Sequence, residues 1–268
     1  MAETTLTPAD LFRAGRLTEA LAGATAAVKK SPTDLGARVL LAELLLFAGN
    51  LERADVILDA ASQVDTSAAL VVAEFRQLLR AETARRQLYR DGRVPDVLGD
   101  LELTGQASLA ALVALRNGDV AGALKAAEDA EALRPHVSGE VDGAAFDDFR
   151  DADDLIPGYI ETLTTTGKYY WVPVSRIESL EFHPPKRPRD LAWRRATIAV
   201  SGGPDGDVYV PVTYFADGEV ADALRLGRET AWSEGPGPVR GIGQRVFLAG
   251  EQDLSILQIR TITFNRTE

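Results

Sequence analysis

Two histidines and a run of aspartates are the side chains best suited to chemistry in this chain, and their spacing argues against it. His136 follows a proline, and His183 precedes Pro184 and Pro185. Neither has a second histidine or a carboxylate at ligand spacing, and the chain has no cysteine. No metal centre, iron–sulfur cluster or thiol chemistry is therefore expected. Asp147, Asp148, Asp151, Asp153 and Asp154 could suggest calcium. A calcium-binding loop needs glycine at its sixth position and a bidentate glutamate at its twelfth. Counted from Asp151, those positions hold Ile156 and Thr162. The cluster reads instead as a solvated linker. The stretch from Gly235 to Gly243 is glycine-rich but lacks the Gly-Lys-Ser/Thr ending of a phosphate loop, and Pro236 and Pro238 remove amide donors that a phosphate cradle would use. Serines 175, 179, 201, 233 and 255 sit in no nucleophile elbow. No catalytic residue, cofactor or metal is assigned, and the chain is read as a non-enzyme.

Two further clusters suit recognition better than catalysis. Lys186, Arg187, Arg189, Arg194 and Arg195 surround Trp193 and are interrupted by prolines. This patch reads as a solvated loop leading into a strand, with an acidic protein surface as its functional alternative. Tyr169, Tyr170 and Trp171 are consecutive, so on a strand Tyr169 and Trp171 share one face and Tyr170 takes the other. One face is expected in the core, and Tyr169 and Trp171 are taken as a possible partner anchor, because Tyr and Trp dominate binding hot spots.

The elements that must position these residues fall into two halves. Gly15, Ala20, Ala27 and Pro32 recur 34 residues later as Gly49, Ala54, Ala61 and Thr66, and 69 residues further on as Gly118, Ala123, Ala130 and Pro135. A period near 34 is the tetratricopeptide length, a helix–turn–helix unit that stacks into a solenoid. Each glycine sits where a left-handed residue ends a helix. Asp34 is a plausible helix N-cap. Residues 68–90 read as one long helix without a central glycine, a degenerate unit or inserted brace. A short helix is expected near Pro95–Leu101.

After Pro135 the periodicity shortens to that of strands, over Tyr159–Thr166, Tyr169–Val174, Ile177–Phe182, Arg195–Val200, Asp207–Val212, Gln244–Leu248 and Leu254–Phe264. Residues 201–206 make a hairpin loop, and Val220–Leu226 suits a short helix. The fold class is therefore α+β: a TPR-like helical repeat domain over residues 1–136, an acidic linker over 137–155 and a mainly antiparallel β domain over 156–268.

Composition limits the partners. The net charge of −11 disfavours nucleic acid, and about half of the excess comes from residues 141–161. The longest apolar run, Val39 to Ala48, is broken by Glu43 and is too short for a membrane helix. The N-terminus has no basic segment followed by an apolar one, so a soluble, cytoplasmic protein is expected.

The segment TTTGKYYWVPVSRIESLEF, Thr164 to Phe182, resembles the signature of the ImpE/TagJ family of bacterial type VI secretion accessory proteins. The resemblance extends over Arg194–Val200, Val208–Tyr214, Leu226–Trp232 and Gln244–Phe264, and the order of the two halves is also the family's. It implies a non-enzymatic adaptor that binds the N-terminal helix of the small subunit of the contractile sheath. It also implies a link to the hexameric ClpV ATPase that disassembles contracted sheaths. It supplies no binding residues.

Those come from the repeat pattern. A helix-in-groove site takes apolar side chains at i, i+3, i+4 and i+7. The inward positions are expected to be Val39, Glu43, Leu46 and Phe47 in the second unit, and Ser108, Leu112, Leu115 and Arg116 in the third. Glu43 and Arg116 stand out, because charges on such a face seldom serve packing. On this reading Leu112→Asp weakens peptide binding without unfolding the protein.

Overall fold

Each of the three repeat glycines ends a helix in the same way. Gly15, Gly49 and Gly118 have φ of 81°, 79° and 76°. In each case the glycine N–H donates back three residues and the next N–H donates back five: Gly15 to Phe12 and Arg16 to Leu11, Gly49 to Leu46 and Asn50 to Leu45, Gly118 to Leu115 and Asp119 to Ala114. This is the Schellman pairing, and it requires a left-handed residue that glycine supplies at least cost.

The computed structural model describes residues 6–64, 69–203 and 205–265. The repeat position Thr66 lies outside them. The helical part runs α1 (Pro8–Arg13), α2 (Leu17–Lys30), α3 (Leu35–Phe47), α4 (Leu51–Val64), α5 (Ala69–Asp91), α6 (Leu103–Arg116) and α7 (Val120–Leu133). Thr7 and Asp10 close a capping box on α1, and Asp34 and Asp119 cap α3 and α7 through Ala37 and Gly122. Ala20, Ala54, Ala61, Ala123 and Ala130 are buried, which lets paired helices approach closely. The 23-residue α5 is the brace expected from the sequence: its Phe75, Leu78, Leu79, Glu82 and Arg85 are buried.

A nine-stranded sheet follows, in the order β1-β6-β5-β9-β8-β7-β14-β2-β3. Its strands are β1 (Asp96–Val97), β2 (Gly139–Val141), β3 (Ala144–Phe146), β5 (Tyr159–Leu163), β6 (Tyr169–Pro173), β7 (Ile177–Phe182), β8 (Trp193–Val200), β9 (Gly206–Pro211) and β14 (Thr261–Phe264). All its pairings are antiparallel except β1 with β6. A smaller sheet orders β13 (Gln252–Ser255), β12 (Val246–Ala249) and β4 (Phe149–Asp151). A hairpin joins β10 (Thr230–Trp232) to β11 (Gly241–Gly243), and α8 (Asp222–Arg225) is a single turn.

Period-2 alternation splits the large sheet between two cores. Tyr159, Leu163, Tyr169, Trp171, Trp193 and Tyr209 join the core of α3 and α5. Ile160, Val172, Ala196, Ile198 and Val210 join Phe149 and Phe247 of the smaller sheet in a second core. The sheet is thus sandwiched between the helices and a three-stranded cover.

Three expectations are corrected. Residues 137–155 are not a solvated linker: they form β2, β3 and β4, and Asp151 and Asp153 are buried. Buried Val141, Phe146 and Phe149, one from each of the three strands, supply the apolar face that a linker would lack. Pro95–Leu101 is not a helix. Asp96 and Val97 pair with Tyr170 and Trp171 instead, and the proline holds the chain extended on entry. Leu254–Phe264 is not one strand but β13 and β14, with buried Ile256 and Ile259 between them.

Candidate functional site

The two halves meet across a buried ionic cluster centred on Glu161, in the middle of β5. Its carboxylate accepts from Arg85 Nε at 2.9 Å and Arg85 Nη2 at 3.1 Å, from Tyr89 at 3.2 Å and from Tyr169 at 2.5 Å. Arg245 Nη2 donates to its other oxygen and Arg245 Nη1 to Asp151. The Trp171 indole N–H donates to the Tyr169 hydroxyl at 2.6 Å, which makes a relay into the carboxylate. Burial alone would raise the Glu161 carboxyl, but the Arg85 and Arg245 guanidiniums hold it down at about 2. Burial and the Glu161 charge push the Tyr169 hydroxyl well up. A carboxylate held down in this way stays charged near neutral pH, and its bonds to Arg85 of α5 and to Arg245 tie the two halves together.

Asp153 behaves differently. Burial and the neighbouring Asp151 raise it to about 7. Its two oxygens accept the N–H groups of Leu155 and Gly241, each at 2.8 Å. The cavity beside it, bounded by Tyr89, Tyr214 and Arg245, is about 30 Å³, the size of a water molecule.

A larger cavity of about 230 Å³ opens beside the cluster, between the α3–α4 turn, α5 and the segment after β9. Its guanidiniums are mostly committed. Arg86 binds Glu82 at 3.0 Å and the Gly49 carbonyl at 2.8 Å, and Arg90 binds Asp217 at 2.7 Å. Trp193 reaches across to donate to Glu82 at 3.2 Å, with its ring edge-on to Phe75.

The structure covers much of the expected groove with the chain's own β half. Glu43, Leu46 and Phe47 are buried, and Val39 is half-buried against the same core. The turn Pro188–Leu191 packs on α3, and Arg189 within it donates to Glu74 at 3.0 Å and lies 4.9 Å from the Phe75 ring centroid. In the third unit Ser108 and Leu112 are buried and Leu115 is half-buried. Leu112→Asp would therefore place a charge in the core, and the expectation that it leaves the fold intact is withdrawn. Arg116 is exposed, and its Nη1 donates to the Leu88 carbonyl at 2.9 Å. A cation at the C-terminus of α5 explains that charge. Tyr169 and Trp171 are buried in the cluster, so the surface anchor expected there is corrected: the sheet face they share is the one that docks onto α5.

The cluster residues Arg85, Glu161 and Arg245 were not singled out from the sequence. The available signal was a lone charged residue at the centre of the strand Tyr-Ile-Glu-Thr-Leu.

Comparison with known proteins places this architecture. The ImpE protein family model matches residues 143–263, and a tetratricopeptide repeat model matches residues 11–73. The chain is 30% identical over 262 residues to the type VI secretion system accessory component TagJ of Pseudomonas aeruginosa, covering 97% of this chain and 91% of that protein. The chain belongs to the ImpE/TagJ family. Family membership extends to the three-dimensional arrangement. A crystal structure of protein VPA1032 from Vibrio parahaemolyticus superposes with a TM-score of 0.91 at 28% identity, covering 97% of this ImpE/TagJ chain and 98% of that one. Among the described residues no helix is long and apolar enough to cross a membrane.

Proposed function

We propose that the chain is an accessory component of a type VI secretion system, a non-enzymatic adaptor that binds the N-terminal helix of the small contractile-sheath subunit and is linked to sheath disassembly by the ClpV ATPase. The observation that carries this reading is the end-to-end likeness to TagJ, 30% identity spanning both halves. The cluster geometry supports a scaffold, because its strongest carboxylate is locked between two guanidiniums.

The β half covers α3 and α5, so the sheath helix is assigned to the accessible side of the third repeat. Leu103 and Val113 of α6 are 64% and 44% exposed, and Ala110 lies exposed between them. These positions recur at three and seven residues along one face, the spacing a docked amphipathic helix uses. Arg116 borders that face, whereas Leu115 lies on the opposite side of α6, packed against the core. The test is calorimetric titration of the full chain with a synthetic peptide of the sheath subunit's N-terminal segment. Val113→Asp is expected to weaken binding about tenfold or more, with an unchanged melting curve. Unchanged affinity removes the partner from α6, and no binding by the unaltered chain refutes the adaptor reading itself. A β-half site is the second reading, favoured by Trp232, which is 38% exposed on β10. Trp232→Ala in the same titration separates the two.

A further inference from the structure

Five arginines of the described chain are buried: Arg85, Arg134, Arg189, Arg194 and Arg245. Four of them hold carboxylates: Arg85 binds Glu161, Arg134 binds Asp148, Arg189 binds Glu74, and Arg245 binds Asp151 and Glu161. Arg194, only 4% exposed, forms no ion pair among the described residues. Its Nη1 donates to the Ile256 carbonyl, and its Nε has no partner. Burial accordingly lowers its pKa, offset only in part by the charge of Asp142. A buried cation without a counter-charge is costly, and proteins rarely leave one so.

Arg194 lines a surface groove of about 530 Å³ at one end of the large sheet, on the side away from the helices. The end of β7, the starts of β8 and β14 and the β2–β3 turn converge there. Phe182 lies beneath the guanidinium, with its ring centroid 4.8 Å away. Pro184 and Arg260 form part of the wall. Asp142 also lines the groove, but its carboxylate is engaged by the backbone N–H groups of Arg260 and Thr261 at 2.9–3.2 Å.

We propose that this groove binds an acidic peptide segment, with a glutamate or aspartate carboxylate seated on Arg194 and its stem against Phe182 and Pro184. The planar guanidinium matches a carboxylate fork. Asp142 and Glu181 on the walls repel a doubly charged anion more than a singly charged one, which favours carboxylate over phosphate. The surface lies on the opposite side of the sheet from α6, so it is independent of the sheath-helix site.

The experiment follows the Arg194 Nε–H resonance of the full-length protein by nuclear magnetic resonance. The probes are a blocked glutamate-containing peptide, its glutamine counterpart and inorganic phosphate. A saturable shift with the glutamate peptide alone, together with calorimetric binding of that peptide that is lost in Arg194→Gln, is the expected result. Pro184→Glu puts a competing carboxylate at the exposed rim and should weaken the glutamate peptide about tenfold without moving the melting curve. That variant keeps the test decisive if Arg194→Gln does not fold. Equal shifts with both peptides, a stronger response to phosphate, or full affinity in Pro184→Glu would overturn the proposal.

Discussion

Replacing Glu43 by glutamine should stabilise the protein at alkaline pH and leave it nearly unchanged in acid. Glu43 is 3% exposed on α3, beneath the turn Pro188–Leu191 that packs on that helix. Its Oε1 has no hydrogen-bond partner, and neither do Nε and Nη1 of Arg189 nearby. Burial raises its carboxyl from 4.5 to about 7, with the charges of Arg189 and Arg187 offsetting only part of that. Between those two values the folded chain keeps a proton that the unfolded chain has released. Stability attributable to this group therefore falls as pH rises from about 4.5 to 7 and stays low above that. A displacement of about 2.5 pH units corresponds to about 3 kcal/mol. Glutamine has nearly the shape of the protonated acid and cannot ionise. The difference in stability between Glu43→Gln and the unaltered chain should thus grow by about 2–3 kcal/mol from pH 4.5 to pH 8, or about 5–10 °C in melting temperature. Differential scanning calorimetry at both pH values measures it, and carboxylates common to the two proteins cancel in the difference. A pH-independent difference, or a variant that loses stability at pH 8, would mean that Glu43 is ionised and paired with Arg189, and the reasoning would fail.

Other perturbations probe the junction and the repeats. Glu161→Gln removes the carboxylate shared by Arg85 and Arg245, leaving Arg85 only the more distant Glu82 at 3.6 Å and Arg245 only Asp151, and should cost about 3 kcal/mol, seen as a lower denaturant midpoint for both halves together. With its carboxyl held at about 2, Glu161 supplies stability that is present above about 4.5 and lost as pH falls toward 2. The acid limb of the stability curve should therefore flatten in Glu161→Gln. Gly118→Ala meets no neighbouring atom, so its cost should be that of the left-handed backbone alone, about 1 kcal/mol by urea unfolding. Gly49→Val meets Arg86 Nη1 as well and should cost more.

Local rules made the helical half legible. Gly15, Gly49 and Gly118 end helices because only a left-handed residue completes the cap, and that requirement is written in three residues of sequence. Tyr169 and Trp171 were correctly placed on one strand face, but which face meets solvent depends on α5, distant in sequence. The same limit explains Asp151 and Asp153. An acidic run looks solvated until Arg245 and the Gly241 N–H, about 90 residues later, come to meet it. The Arg194 groove was visible only as part of a basic patch, because the patch divides in the fold: Arg189 and Arg194 turn inward, while Arg195 pairs with Asp207 at the surface.

The first repeat is finished by residues from the far end of the chain. The N–H of Leu17 that opens α2 donates to Asp222, 205 positions away, and the carbonyls of Phe12 and Arg13 that close α1 accept from Arg228. The hairpin's own glycine cap and its packing against α3 are available as soon as the second repeat is made, but these last bonds are not. The first repeat is thus closed locally and fastened remotely, so loss of the segment around Asp222 and Arg228 should loosen the N-terminal turn before any other part of the helical half.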